Sequence, residues 1–171
     1  MKRVFVLAVL ALAGFAVPAQ AQMDLDDGGY YRLSTDFRGK GMNLDVFNGG
    51  ELNNMTHLAP RQRVSGQFWK FEDAGGGWYK LKSQFRGDRM CLDVANGGDF
   101  NNYAQLTRCG NYSGQLWRVE ETGNGRYALT TKFRGRNMCL DIVNGGEDDN
   151  MVHLTQCGSY TGQSWRIRPS D

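Results

Sequence analysis

The sequence predicts an all-β domain built from three like units, and three observations carry that expectation. The first is a repeat. Phe37-Arg38-Gly39 returns as Phe85-Arg86-Gly87 and Phe133-Arg134-Gly135, and Leu44-Asp45-Val46 returns as Leu92-Asp93-Val94 and Leu140-Asp141-Ile142. Asn48-Gly49-Gly50 and Gly66-Gln67-Phe68-Trp69 recur in the same way, always 48 residues on, with no insertion or deletion. A constant period of this length organises everything else in the chain. The second is alternation: Leu92-Asp93-Val94 and Trp117-Arg118-Val119 show the two-residue period of a half-buried strand. The third is that no stretch past the N-terminal segment carries an apolar stripe at helical spacing.

Each unit holds four short apolar segments separated by turn residues. In the second unit they are Tyr79-Lys80-Leu81, Cys91-Leu92-Asp93-Val94, Ala104-Gln105-Leu106 and Gln115-Leu116-Trp117-Arg118-Val119. The 23 glycines suit the turns between them, and Asn-Gly in each unit is a turn signal in its own right. Twelve strands in three units of four point to a β-trefoil, three pseudo-symmetric 48-residue units around one axis. A propeller wants at least four blades, and a solenoid wants atypical end repeats. A closed trefoil leaves no exposed sheet edge. The expected core is Trp69, Trp117 and Trp165 with Leu44, Leu92 and Leu140.

The N-terminus reads as an export signal over residues 1–21. Lys2 and Arg3 precede an apolar run from Val4 to Val17, and Pro18 leads into Ala19-Gln20-Ala21, a small-x-small cleavage pattern. A run of this length is too short to span a bilayer as a helix, so no membrane insertion is expected. A short acidic leader, 22–29, then precedes the domain at 30–171, with units 30–77, 78–125 and 126–171. Without Lys2 and Arg3 the 20 basic residues become 18 and balance the 18 acidic ones. A neutral mature chain offers no electrostatic footprint for nucleic acid and suits a neutral partner.

Four cysteines suit an exported chain. Of the three possible pairings, Cys91–Cys109 and Cys139–Cys157 join equivalent positions at the same spacing, and are expected. The first unit has Asn43 and Arg61 there, so it carries no bridge. Without a Cys-x-x-Cys motif and with two histidines, no metal site is expected, and no cofactor. Paired catalytic carboxylates, a nucleophile elbow and a phosphate-cradling loop are all missing from the pattern, so no enzyme activity or catalytic residue is expected.

Leu-Asp-Val or Leu-Asp-Ile followed by Gln-x-Trp, three times over, with a cysteine before the leucine and an intervening one in the second and third units, resembles the ricin-B-type β-trefoil lectins, from Tyr30 to about Arg168. The resemblance implies one shallow sugar pocket per unit. In each, Asp45, Asp93 or Asp141 would accept hydrogen bonds from sugar hydroxyls. Gln67, Gln115 and Gln163 would steady those aspartates. His57, Gln105 and His153 would contribute a polar contact from the third strand. Two family features are missing. Ala59, Thr107 and Thr155 stand where the stacking aromatic is expected, and Gly66, Gly114 and Gly162 stand where an asparagine is expected. Phe47, Tyr103, Tyr112 and Tyr160 are the candidate replacement rings. The acidic run Glu147-Asp148-Asp149 reads as a solvated loop. Glycans or polysaccharides are thus the expected partners of a secreted, extracellular or periplasmic module. The alternative is a trefoil that kept the scaffold, lost sugar binding, and serves as a protein-binding or inhibitory module.

Overall fold

The computed structural model describes Leu25 and residues 28–170. The export signal at 1–21 lies outside the described residues, as does most of the leader. Twelve strands follow one another: β1 (Tyr31–Thr35), β2 (Met42–Val46), β3 (Thr56–Pro60), β4 (Trp69–Asp73), β5 (Tyr79–Ser83), β6 (Met90–Val94), β7 (Ala104–Arg108), β8 (Trp117–Gly123), β9 (Arg126–Thr131), β10 (Gly135–Ile142), β11 (Val152–Gln156) and β12 (Trp165–Pro169).

Six of them close a barrel. β1 pairs with β4, β4 with β5, β5 with β8, β8 with β9, β9 with β12, and β12 returns to β1, so the ring has no free edge. The hairpins β2–β3, β6–β7 and β10–β11 cap it. Each hairpin is tied to the next by one backbone bond: Leu106 N–H donates to the Asn54 carbonyl, Leu154 to Asn102, and Leu58 to Asn150, at 2.8–2.9 Å. Those three asparagines sit at φ 72, 72 and 69°, turning their carbonyls toward the neighbouring unit. Asparagine tolerates this left-handed region better than other side chains.

The core is the one the repeat specifies. Trp69, Trp117 and Trp165 are fully buried, as are Leu44, Leu92 and Leu140. Each indole N–H donates to the carbonyl of the leucine of its own unit, at 2.9, 2.8 and 2.7 Å, so no polar atom is lost to burial. One detail differs from the sequence reading. Gln115 and Leu116 do not extend the fourth strand backwards; Gln67, Gln115 and Gln163 each close a short 3₁₀ turn just before the Trp strand. Asn-Gly-Gly turns the chain at the start of a nine-residue connection, within which Gly49 N–H is capped by Asn53 Oδ1 at 2.8 Å.

The Phe-Arg-Gly repeat links units in a ring. Arg86 lies over Phe85 and donates to Asn53 of the first unit at 2.6 Å; Arg134 lies over Phe133 and donates to Asn101 of the second at 2.8 Å. Arg38, over Phe37, completes the circle with Asn150 and Asp149 of the third, both at 2.7 Å. Asp149 lies in an exposed turn, as the solvated-loop reading has it, and is in addition an ion-pair partner. That pairing joins residues 111 apart, which no local pattern encodes.

Both expected disulfides are present, Cys91–Cys109 and Cys139–Cys157, and the described cysteines are all bridged. Each closes a loop of 18 residues, worth about 3 kcal/mol by the chain-entropy model. The first unit lacks that constraint, so its slowest amide protons should exchange faster than their equivalents in the other two units, read by native-state hydrogen exchange. The indole bond is testable as well. Trp117→Ala should cost about 3–5 kcal/mol and Trp117→Phe about 1–3 kcal/mol, since the phenyl ring leaves the Leu92 carbonyl unpaired. Urea unfolding measures both.

Candidate functional site

Each candidate site starts from the aspartate near the end of the second strand of a unit. Asp45, Asp93 and Asp141 turn one oxygen back onto the next residue, accepting from Val46, Val94 and Ile142 N–H at 2.8, 2.8 and 2.7 Å. The other oxygen accepts from Gln67, Gln115 and Gln163 Nε2 at 3.0, 3.0 and 2.9 Å. The same amides also donate to the carbonyls of Pro60, Arg108 and Gln156 at 2.8, 3.0 and 3.0 Å. Their Oε1 atoms accept from Gln62, Gly110 and Gly158 N–H at 2.9, 2.8 and 2.8 Å. One buried amide in each unit thus fixes a carboxylate, the end of the third strand and the loop that follows it. In the second unit Thr107 Oγ1 adds a donor to Asp93 at 2.7 Å.

This clamp explains why glycine precedes the glutamine. A Cβ on Gly66, Gly114 or Gly162 would collide with Oδ1 of the neighbouring aspartate. No side chain fits, so the asparagine expected there cannot stand beside an aspartate in this rotamer.

Of the four candidate replacement rings, Tyr112 and Tyr160 stand exposed, at 62% and 63%. Their rings lie against Gly110 and Gly158, where any Cβ would overlap them. An exposed aromatic held flat by a glycine is a preformed platform. In the third unit Tyr160 shares a shallow cleft of about 230 Å³ with Asp141, Asn144, Thr161, Gly162 and Phe37. Phe37 comes from the first unit and is anchored by its N–H to the Thr161 carbonyl. Phe133 and Phe85 make the same bond to Ser113 and Ser65. The second unit repeats the ring and the aspartate. The first does not: Gln62 and Val64 replace the glycine and tyrosine.

His57, Gln105 and His153 lie directly across their hairpins from Asp45, Asp93 and Asp141. They lie where neighbouring hairpins meet, with isolated backbone bridges joining Met55 to Gln105, His57 to Met151 and Tyr103 to His153. His57 is stacked on Phe47, centroids 3.8 Å apart, and His153 stands 5.8 Å from the Tyr103 ring. His153 is outside the residues that line the Asp141 cleft. In the third unit His153 and Tyr160 are therefore both neighbours of Asp141, but only the tyrosine shares its cleft. Asn144 and Phe37 are not legible as candidate site residues in the sequence, where Asn-Gly-Gly reads as turn chemistry and Phe-Arg-Gly only as a mark of the repeat.

Burial lowers the pKa of both histidines, against an opposing pull from Asp45 on His57 and from Asp141 and Asp148 on His153. Tyr103 is pushed up to about 12 by burial and by its 2.6 Å donation to Asp148. Its phenol is a fixed donor at any ordinary pH. Among the described residues, no three of His, Cys, Asp or Glu converge as metal ligands.

A small all-β body of three like units, each with a clamped carboxylate and the third with a shallow cleft that sets it beside an exposed ring, defines a β-trefoil of the lectin-like kind. The chain matches the model of the ricin-type beta-trefoil lectin domain-like family over residues 20–109 and 65–157, and it belongs to that family. Among solved structures it is similar to the designed three-fold symmetric protein ThreeFoil, with 28% identity and a TM-score of 0.66 over 82% of this chain and 98% of that one. It is also similar to the C-terminal half of an earthworm R-type lectin in complex with GalNAc, at 13% identity and TM-score 0.59 over 83% and 99%. An exo-beta-1,3-galactanase from Clostridium thermocellum matches at 22% and 0.66; there the chain covers 31% of the enzyme and 85% of itself. No curated protein matches the chain.

The histidine shifts set a pH window. With folded pKa values below the ordinary 6.5, both imidazoles are neutral at pH 7, and the unfolded chain binds protons first as pH falls. Stability is therefore full above that value and is lost as pH drops through it toward the folded values. The melting midpoint should fall between about pH 7.5 and about pH 5.5, and His57→Gln with His153→Gln should flatten that slope. Asp36 contributes in a separate, more acidic window. Its hydrogen bond from Arg126 holds its carboxyl below 3.8, with Ser164 and Arg166 helping against desolvation, so its contribution is lost only below that value.

Proposed function

We propose that this protein is a secreted, lectin-like module that binds glycans through the clefts of its second and third units. The observation that carries the reading is the cleft in which the Asp141 carboxylate and the exposed Tyr160 ring stand together. A sugar presents hydroxyls on its edge and C–H groups on its face, and needs an acceptor and an apolar platform held rigidly. A carboxylate offers about four lone-pair sites. Asp141 uses two on the protein and Asp93 three, which leaves acceptor capacity for hydroxyls. The likeness to a lectin solved with GalNAc supports the sugar class, and two disulfides suit an oxidising compartment outside the cytosol. Among the described residues no helix is long and apolar enough to cross a membrane.

Each cleft is small and open, so a single site should bind free sugar with a dissociation constant near millimolar, roughly −4 kcal/mol. Two sites on one rigid body raise retention on a dense glycan surface where both engage. The second reading, a scaffold that has lost sugar binding, is favoured by the first unit, where Val64 leaves Asp45 without a platform.

The test is a broad glycan screen followed by exchange of the rings. Tyr160→Ala and Tyr112→Ala should each weaken surface binding, by about tenfold for the affected site, and together abolish it. Both rings are exposed, so the melting midpoint should stay near native. Asp141→Ala should also abolish its site, at a cost of about 1–3 kcal/mol in stability because Gln163 loses a partner. A parent that binds no glycan, or a double tyrosine variant that binds as the parent does, overturns the reading.

A further inference from the structure

The first unit has lost the disulfide and the tyrosine that the others carry, and what replaces them is charge. Arg32, Lys40, Arg61 and Arg168 line one cleft with Asn43 and Ser34, and Arg63 stands beside it with Arg32 and Arg61. No carboxylate lines either hollow among the described residues. The positions equivalent by the 48-residue repeat are Lys80, Asp88, Cys109, Glu72 and Asn111 at the next hairpin, and Ala128, Arg136, Cys157, Glu120 and Ser159 at the last. Five cations around this one cleft, four from the first unit and Arg168 from the third, thus correspond to sets with a net charge of −1 and 0. The near-neutral whole chain hides this concentration.

Strand register sharpens the contrast. On the β4–β5 seam Glu72 lies opposite Lys80, a favourable cross-strand pair. On the β12–β1 seam the same two positions hold Arg168 opposite Arg32, like charges that repel across a ladder. Arg32 is 7% exposed and its guanidinium is held rigidly, donating to Gln67 Oε1 and the Gln62 carbonyl and lying over Phe68.

Asn43 supplies the independent sign of a ligand. It occupies the place of Cys91 and Cys139, is 3% exposed, lines the cleft, and its buried Nδ2 has no hydrogen-bond partner. A buried amide donor without an acceptor costs free energy, and an oxyanion in the cleft would supply that acceptor. The backbone has kept the geometry of the lost bridge. Arg61 N–H donates to the Gly41 carbonyl at 2.8 Å, as Cys109 does to Arg89 and Cys157 to Asn137, both at 2.9 Å.

We propose that this cleft, built where the first unit lacks its disulfide, binds the acidic group of a glycan, a carboxylate or a sulfate ester, through Asn43 Nδ2 and the surrounding guanidinium and ammonium groups. The choice of a glycan as the bearer rests on the proposed function; the anion site itself does not. The cleft adds recognition of charge to a body whose other clefts read neutral hydroxyls.

The experiment titrates the mature protein with inorganic sulfate, dextran sulfate, polygalacturonate and neutral dextran. It follows the Asn43 side-chain amide by NMR and affinity by calorimetry. Sulfate and at least one acidic polymer should move the Asn43 resonance, neutral dextran should not, and binding should weaken as salt rises. The two polymers distinguish sulfate ester from carboxylate. Asn43→Cys with Arg61→Cys should form the third bridge and reduce acidic-polymer binding at least about tenfold. Arg168→Glu, which restores the charge pattern of the β4–β5 seam without touching the bridge position, should do the same and covers a failure of the double variant to fold. A protein that binds sulfate and acidic polymer but no neutral glycan keeps this site and loses the lectin reading. Equal binding by the parent, the double cysteine variant and Arg168→Glu overturns the proposal. So does an intact protein that binds no anion while Asp24→Asn, Asp26→Asn and Asp27→Asn together make it bind, since the leader's own carboxylates would then be the occupant.

Discussion

Each buried indole donates its N–H to the carbonyl of the leucine that immediately precedes a cleft aspartate. Two residues before the indole, a glutamine amide grips that aspartate and the end of the neighbouring strand. A single residue, Phe68, Leu116 or Ser164, separates the two, and the glutamine itself closes a 3₁₀ turn, so the two grips share one short lever. The hydrophobic core therefore sets where the carboxylates stand. Rigidity here comes from burial, because an amide with its donors and acceptor all engaged has no alternative arrangement of comparable energy.

Against this uniform frame the three units have diverged at their rims. Positions 62 and 64 hold Gln and Val in the first unit and Gly with Tyr in the other two. The pair changes together because the ring can lie flat only over a residue without a Cβ. Positions 43 and 61 also change together, from a disulfide to an amide and a guanidinium. Three-fold symmetry fixes what is buried, while the exposed positions of each unit are free to specialise.

The core was legible from sequence because the 48-residue register puts Trp69, Trp117 and Trp165 in equivalent places with no gap to blur the alignment. The disulfides were legible for the same reason. The clefts were only half legible. The aspartates and glutamines sit in the repeated motifs, but the flattening of Tyr112 and Tyr160 depends on a glycine two residues earlier, a pairing visible as Gly-x-Tyr only once its purpose is known. The glycine before each glutamine read as a missing asparagine, and the collision that excludes a side chain there depends on the aspartate rotamer. Asp149 and Arg38 meet across the joint between the last unit and the first, and Arg32 and Arg168 oppose each other only through strand register. Such long-range meetings leave no trace in local pattern.

The barrel closes when β12 lies down beside β1, joining Tyr31 to Pro169 and Thr35 to Trp165. A ribosome releases β1 long before β12, so the first strand must wait almost the whole length of synthesis for its principal partner. Contacts this distant along the chain make folding slow, since loop entropy is lost before the contact rewards it. The second hairpin can oxidise within its own short loop during that wait, whereas the third, whose Cys157 emerges just ahead of β12, closes with the barrel. The first hairpin has no such tether, so the order of the unit made earliest depends on a seam that the last strand closes.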